Sequence, residues 1–246
     1  MAATESRVTR HASLPPLNGA VRLNIGCGDA PAATYYNVDR DMRIPEAELN
    51  VQGYPRNVHH MGGDAWVELN GYRLMEAEGH DLPVADGSVD AIYASHILEH
   101  YPVLEAPEGV ATAHDALDEW FRVLKPGGRL FVAVPDGDII LRRILSEPAT
   151  RDDWVLNLFG QHRPGMMHYW VYTRQSLTDM LCAHRFINIA PFEWCLTKAD
   201  GEHDAAGGVA KLDDSAEVSI SLNLQATKPA SSETPNTEHR APNTDG

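Results

Sequence analysis

Apolar positions along this chain fall into short runs broken by glycine, asparagine and proline, and the period of the runs changes along the chain. "VRLNIG", beginning at Val21, is a compact apolar run ending in glycine, the form of a buried strand that feeds a tight loop. "YYNVD" predicts a second strand ending at Asp39, and "YRLMEAE" a weaker third. "VDAIYAS", Val89 to Ser95, predicts a fourth strand with little polar alternation, as expected where both faces are covered. The period then becomes helical. Leu117, Trp120, Phe121 and Leu124 recur at i, i+3, i+4 and i+7, an amphipathic helix between His114 and Leu124 that stops at "KPGG". Trp120 and Phe121 are therefore core residues. "RLFVAVP" is a fifth strand. A second helix begins near Thr173, an N-cap type, and turns Leu177, Met180 and Leu181 inward. "FINIAPFEW" and "EVSISLNLQATKP" are two further strand-like runs with little helix between them, which predicts an antiparallel pair at one sheet edge.

Three stretches lack such periodicity. The arm at 1–19 has no continuous apolar core, so it does not read as a secretory leader. The stretch 42–72 is rich in Gly, Asn, Pro, Glu and His and reads as an excursion with little regular structure. The segment 230–246, Ser, Thr, Pro and Asn rich, reads as disordered. One folded domain over 20–229 remains.

Composition narrows the function. Lys and Arg total 20 against 35 Asp and Glu, a formal net charge of −15, so the overall field repels phosphate backbones and anionic membranes. Neither nucleic acid nor membrane is an expected partner. The longest apolar run is too short to cross a bilayer. Three widely spaced cysteines, Cys27, Cys182 and Cys195, read as free thiols in a reducing compartment, and the expected location is the cytoplasm.

"LNIGCGDAP" places Gly26 and Gly28 just after a strand, where missing side chains let backbone amides approach a ligand. The third glycine of a dinucleotide fingerprint is replaced by Pro31, and the next strand reaches its acid, Asp39, only 11 residues after Gly28. Both features disfavour a nicotinamide-dependent oxidoreductase. A nucleoside without a diphosphate fits better, Asp39 chelating its ribose hydroxyls. The plainer alternative is an ordinary turn followed by a strand-end acid.

Five segments, "LNIGCGDA", "NVDRD", "HDLPVADGSVDAIYASHILEH", "ALDEWFRVLKPGGRLFVAVPD" and "HYWVYTRQSLTDMLCAHRF", stand in the order found in class I S-adenosylmethionine-dependent methyltransferases. The chain resembles that family from Val21 to about Pro229, most of all a small group whose first motif reads L-N-x-G-C-G. The resemblance implies an α/β, Rossmann-like, seven-stranded and mostly parallel sheet with helices on both faces and the last strand antiparallel. It implies S-adenosyl-L-methionine as cofactor, with Asn24, Gly26, Cys27 and Gly28 at its methionine end and Asp39 on the ribose. Glu78 and Asp81 compete for the adenine amine, Asp81 being favoured together with Leu82 as pocket lining, and Ser95 and His96 also line the pocket. The chain departs from the family at Asn24, where an acid is common. It departs again in "DAPAATYY", too short for a full crossover helix, so a single turn is expected there.

"SHILEH" also spells H-x-x-E-H, a zinc-peptidase pattern. That chemistry needs the letters within a long helix, whereas here a strand runs directly into them, so no metal site is expected. His96 and His168 are the candidate general bases, with packing as the plainer role for His96; Glu99 and His100 read as braces of a helix start. Asp136, Gln161, His162, Tyr169 and Tyr172 are candidate substrate contacts, the last four in a segment suited to a lid. The expected function is direct methyl transfer to a small-molecule hydroxyl or amine. A noncatalytic cofactor-binding module is the third alternative.

Overall fold

A computed structural model of the chain describes residues 13–28, 31–40, 66–69, 71–146, 151–160, 166–193, 209–211 and 217–230. Its centre is one mixed sheet of eight strands: β1 (Arg22–Ile25), β2 (Tyr36–Asp39), β3 (Val67–Leu69), β4 (Tyr72–Glu76), β5 (Val89–Ser95), β6 (Leu124–Pro135), β7 (Ile187–Pro191) and β10 (Ser221–Thr227), in spatial order β3-β4-β2-β1-β5-β6-β10-β7. Two short strands, β8 (Val209–Lys211) and β9 (Glu217–Ser219), pair with each other outside it. The strands β4, β2, β1, β5 and β6 run parallel, and β10 inserts antiparallel between β6 and the edge strand β7. These are the seven strands expected, with the last antiparallel.

The eighth, β3, is an addition. It pairs antiparallel with β4 at the end of the stretch expected to lack regular structure. The signal was present in "VELNGYRL", since an Asn-Gly pair between apolar runs favours a two-residue hairpin, and Gly71 has the positive φ of +85° that such a turn demands. The rest of the excursion, 42–65, lies outside the described residues, as do 1–12 of the arm and 231–246 of the tail. The described part of the arm packs on the domain: Leu14 is buried in the core, and the Tyr36 hydroxyl donates to the Pro15 carbonyl at 2.8 Å. One strand-like run, "EVSISLNLQATKP", divides at Ile220 into β9 and β10.

The helix α1 (Ala113–Val123) starts one residue before the expected range, because Thr112 and Asp115 form a reciprocal cap: the Thr112 hydroxyl accepts from Asp115 N, and the Asp115 carboxylate accepts from Thr112 N at 2.7 Å. Trp120 is fully buried, with its indole N–H on the Gly79 carbonyl at 2.8 Å. Two further helices, α2 (Gly137–Ser146) and α3 (Arg151–Phe159), were not expected. Their apolar stripe is blurred in sequence because Leu141, Leu145, Leu156 and Phe159 are exposed. The cap was legible: Asp136 Oδ1 accepts from Ile139 N at 3.2 Å at the start of α2. Thr173 caps α4 (Arg174–Ala183) as expected, through Ser176. Between β1 and β2 the described residues hold no helix, only a turn in which Tyr35 N donates to the Ala32 carbonyl at 3.1 Å.

The strand order reverses direction next to β1. β2 and β4 lie on one side of it, β5 and β6 on the other, so a crevice opens at the carboxyl ends of β1 and β5. Open α/β sheets bind ligands at such a switch point. Among the described residues, no helix is long and apolar enough to cross a membrane.

Candidate functional site

Four strand ends deliver polar residues to this crevice. β1 ends in the Gly26 turn, β2 in Asp39, β4 in Glu76 followed by Glu78, and β5 in Ser95 followed by His96. Gly26 and Gly28 have φ of +67° and +51°, the left-handed region glycine tolerates best. Gly26 N and Cys27 N donate to the Val38 carbonyl at 2.8 and 3.2 Å, binding the turn to β2. Gly28 N then donates to Asp39 Oδ2 at 2.9 Å. The glycine turn and the acid are thus in direct contact. A Cβ on Gly26 would lie 2.5 Å from Ile97 Cδ1, whereas one on Gly28 would meet nothing within 4 Å. Gly26 is small because the protein packs on it, and Gly28 because it faces outward into the crevice.

Asn24 and Cys27 are both buried. Asn24 Nδ2 donates to Asn37 Oδ1 at 3.1 Å, so this side chain holds strands together by the neutral hydrogen bond its chemistry allows. Asn37, which sequence reasoning passed over, is the anchor of the whole loop. Its Oδ1 also accepts from Ala32 N at 2.7 Å, while its Nδ2 donates to the carbonyls of Ala32 and Arg73, both at 3.1 Å. An asparagine inside a four-residue buried strand was the available signal, because such a side chain must find partners.

Across the crevice, Asp81 N donates to the Glu78 carbonyl at 3.0 Å, closing a tight turn; Glu78 is exposed and Asp81 half-buried. Leu82 is a core residue. Its N–H donates to Glu119 Oε1 at 2.7 Å and its carbonyl accepts from Arg122 Nη2 at 3.1 Å. Tyr101 also belongs to this region. Burial, then the carboxylate of Glu78, push its hydroxyl pKa far up, Asp39 adds to that effect and Arg40 opposes it. Nothing in the letters "EHY" set Tyr101 apart.

The tip of β5 has a different chemistry. His96 has φ of +52°, unusual for a residue with a side chain, and its N–H donates to the Ala133 carbonyl at 2.8 Å. Ser221 Oγ donates to Asn223 Oδ1 at 2.8 Å, so His96 Nε2, 3.0 Å from that Oγ, donates to it. The other ring nitrogen, Nδ1, stands 3.2 Å from Glu99 Oε1. Glu99 is 0% exposed, and neither of its oxygens receives a directed hydrogen bond. Burial pushes its carboxyl up, but the His96 and His100 imidazoles outweigh that and its pKa lies below the ordinary value. Ser95 Oγ and the hydroxyl of Tyr172 are likewise buried without a partner.

The segment expected to form a lid is divided. Gln161 and His162 lie outside the described residues. Tyr169 is 54% exposed, and its N–H donates to the Glu99 carbonyl at 2.7 Å. Tyr172 is drawn into the core at 1% exposure. Asp136 is committed in part to capping α2. His168 meets the H-x-x-E-H letters in space: its ring centroid is 4.9 Å from that of His100. Burial pushes the His168 imidazole below its ordinary pKa, with Glu99 acting in the opposite sense, so it is neutral near pH 7. His59 and His60 lie outside the described residues.

The family model described as a methyltransferase domain matches residues 23–132, the stretch from β1 through β6 that builds this crevice. Over that stretch, 110 of the 246 residues, the chain is similar to the methyltransferase-domain family. An O-methyltransferase of Pyrenophora dematioidea is 28% identical over 57% of this chain and 47% of its own length. An uncharacterized methyltransferase of Mycobacterium leprae is 30% identical over 63% of this chain and 45% of its own. The chain spans about half the length of these curated relatives. Among solved structures, a 1,6-didemethyltoxoflavin-N1-methyltransferase of Burkholderia thailandensis is 17% identical, covering 85% of this chain and 71% of that one with a TM-score of 0.46, a likeness too loose to assign a substrate. Within the matched stretch, the glycine turn and Asp39 adjoin in space.

Proposed function

We propose that this methyltransferase domain is catalytic and transfers the methyl group of S-adenosyl-L-methionine to a hydroxyl or amine of a small molecule. The observation that carries the reading is the 2.9 Å hydrogen bond from Gly28 N to Asp39, which brings the small-residue turn and the acid to one ligand-sized place at the switch point. The second Asp39 oxygen and its neighbours then hold the ribose hydroxyls, with Gly26, Cys27 and Gly28 along the methionine part. Glu78 is favoured over Asp81 for the adenine amine, because it follows the tip of β4 and acts on Tyr101 together with Asp39. The net charge of −15 supports a small acceptor over a nucleic acid, and the likeness to an O-methyltransferase supports a hydroxyl.

The chemistry asks little of the protein. The methyl carbon is bonded to a positively charged sulfur, so the enzyme has to place the acceptor about 3 Å from that carbon and in line with the sulfur. The acceptor's electron pair forms the new bond, the pair of the S–CH₃ bond leaves with sulfur as a neutral thioether, and a hydroxyl proton passes to a base. His96 and His168 flank Glu99 at the neighbouring strand end and are the bases within this arrangement. The half-exposed 166–172 segment covers that side and sheds water from it.

Calorimetric titration with S-adenosylhomocysteine tests the reading. The wild-type protein is expected to bind with micromolar affinity, and Asp39→Ala to bind more weakly by about 1.5–3 kcal/mol, the range for a charged hydrogen-bond partner. A thermal melt of the variant separates lost binding from lost folding. Unchanged affinity in a folded variant removes Asp39 from the site.

A further inference from the structure

Glu99 and the three histidines around it, His96, His100 and His168, form a cluster that methyl transfer, as derived above, leaves only partly explained. A fully buried carboxylate with no directed hydrogen bond is costly unless a positive charge accompanies it. His96 is one neighbour able to carry that charge. His100 and His168 are arranged otherwise. His100 Nδ1 is 2.9 Å from the Met167 carbonyl, and His168 Nδ1 is 3.1 Å from the Asn157 carbonyl. A carbonyl oxygen only accepts, so each Nδ1 carries the proton. With that nitrogen protonated, Nε2 is the atom of each ring left to offer a lone pair.

The backbone holds both rings beside this carboxylate. His168 N donates to the Phe159 carbonyl at 3.0 Å, and Tyr169 N to the carbonyl of Glu99 itself. Gly160, with φ of +71°, makes room for this loop: a Cβ there would lie 2.3 Å from the Met166 carbonyl and 2.8 Å from the His168 ring. A glycine, two backbone hydrogen bonds and two ring-to-carbonyl hydrogen bonds thus aim these rings.

We infer that Glu99, His100 and His168 bind a divalent transition-metal cation. Their ligand atoms lie within 4.8 Å of one another. An ion at the centre of such a triangle is at most about 2.8 Å from each corner, and small side-chain rotations close the remainder to the roughly 2.0–2.2 Å of zinc–nitrogen and zinc–oxygen bonds. Two histidines and one carboxylate suit Zn²⁺, Fe²⁺, Mn²⁺ or Co²⁺ better than Mg²⁺ or Ca²⁺, which prefer all-oxygen shells. The Nδ1–H to carbonyl bonds are the supporting contacts that metal-bound histidines regularly make. Three protein ligands leave positions for water or an oxygen of another molecule. On the methyltransferase reading, that molecule is the acceptor, and His168 is then a ligand and not the base. The binding claim itself does not depend on turnover.

The test uses the full chain after treatment with a chelator. Zn²⁺ is titrated calorimetrically, and Co²⁺ is followed by its visible d–d absorption. The expected result is a single tight ion per chain, micromolar or better, with Glu99→Gln and His168→Asn each weakening it about tenfold or more. His114→Asn is the control for surface histidines: exposed His114 lies against His184 on another face, 2.8 Å between ring nitrogens, and its loss is expected to change nothing. Should Glu99→Gln fail to fold, His100→Asn takes its place. No Co²⁺ spectrum in the wild type, a spectrum retained in the Glu99 or His100 variant and in the His168 variant alike, or one lost in His114→Asn overturns the inference. S-adenosylhomocysteine binding, measured on the same samples, fails or succeeds separately.

Discussion

The two halves of the carboxyl edge handle buried polarity in opposite ways. On the β1–β2 side, Asn24 and Asn37 bond to each other and to the backbone, and the turn amides are taken up by Val38 and Asp39. On the β5 side, both Glu99 oxygens, Ser95 Oγ and the Tyr172 hydroxyl are buried with no directed hydrogen bond. Satisfied polar groups give a rigid platform whose shape is the same with or without a ligand. Orphaned ones are a cost of folding that persists where something else completes the shell. The first half reads as scaffold for the nucleoside, and the second as the place where a further ligand acts.

The largest expected effect is on the satisfied side. Asn37→Ala removes five hydrogen bonds and leaves buried partners without donors or acceptors. It is expected to lower stability by about 2–3 kcal/mol in urea unfolding and to weaken S-adenosylhomocysteine binding through the loosened turn. A loss below about 1 kcal/mol would break the contrast between scaffold and ligand side.

The opposite, amino-terminal edge of the same strands supplies a smaller effect with a sign in pH. Asp90 accepts from Val21 N and from Lys125 at 2.7 Å each. Burial works against its charge, but those bonds outweigh it and its pKa is lowered. A depressed carboxylate contributes stability that is present above its unfolded pKa, about 3.9, and is lost as pH falls through the folded value. Because the pair is partly exposed and screened, Asp90→Asn is expected to cost only about 1 kcal/mol at pH 7, with the gap to wild type closing below about pH 4. A gap that persists at lower pH would mean the cost is steric.

The smallest effect is expected at the orphaned carboxylate. Glu99→Gln removes a buried charge that gains little from hydrogen bonding, so metal-free stability should change by less than about 1 kcal/mol. A drop as large as that of Asn37→Ala would show Glu99 to be scaffold as well.

Much of the platform was readable in advance. β5 was bounded to the residue by its apolar run, α1 and α4 by spacing and caps, and the glycine turn and Asp39 by their places at strand ends. The misses have particular causes. α2 and α3 carry exposed leucines that hide their stripe, β3 depended on an Asn-Gly turn inside a polar stretch, and Asn37 looked like any polar residue in a short strand.

By itself the sequence determined the order of elements and which positions turn inward, because hydrophobic period and turn chemistry are local properties of the chain. It also determined that a nucleoside was a better fit than a dinucleotide, since Pro31 and the early Asp39 are matters of spacing. Only the tertiary structure decided which residues the H-x-x-E-H letters meet. As letters, His96, Glu99 and His100 belong to a long helix, whereas the structure holds only a single 3-10 turn, Leu98–His100; His168, which meets them, comes from 68 positions beyond His100 and stands beside Gly160. Spacing along a chain carries no information about such a meeting, because the protonated nitrogen of each ring and the isolation of the carboxylate are set by groups distant in sequence.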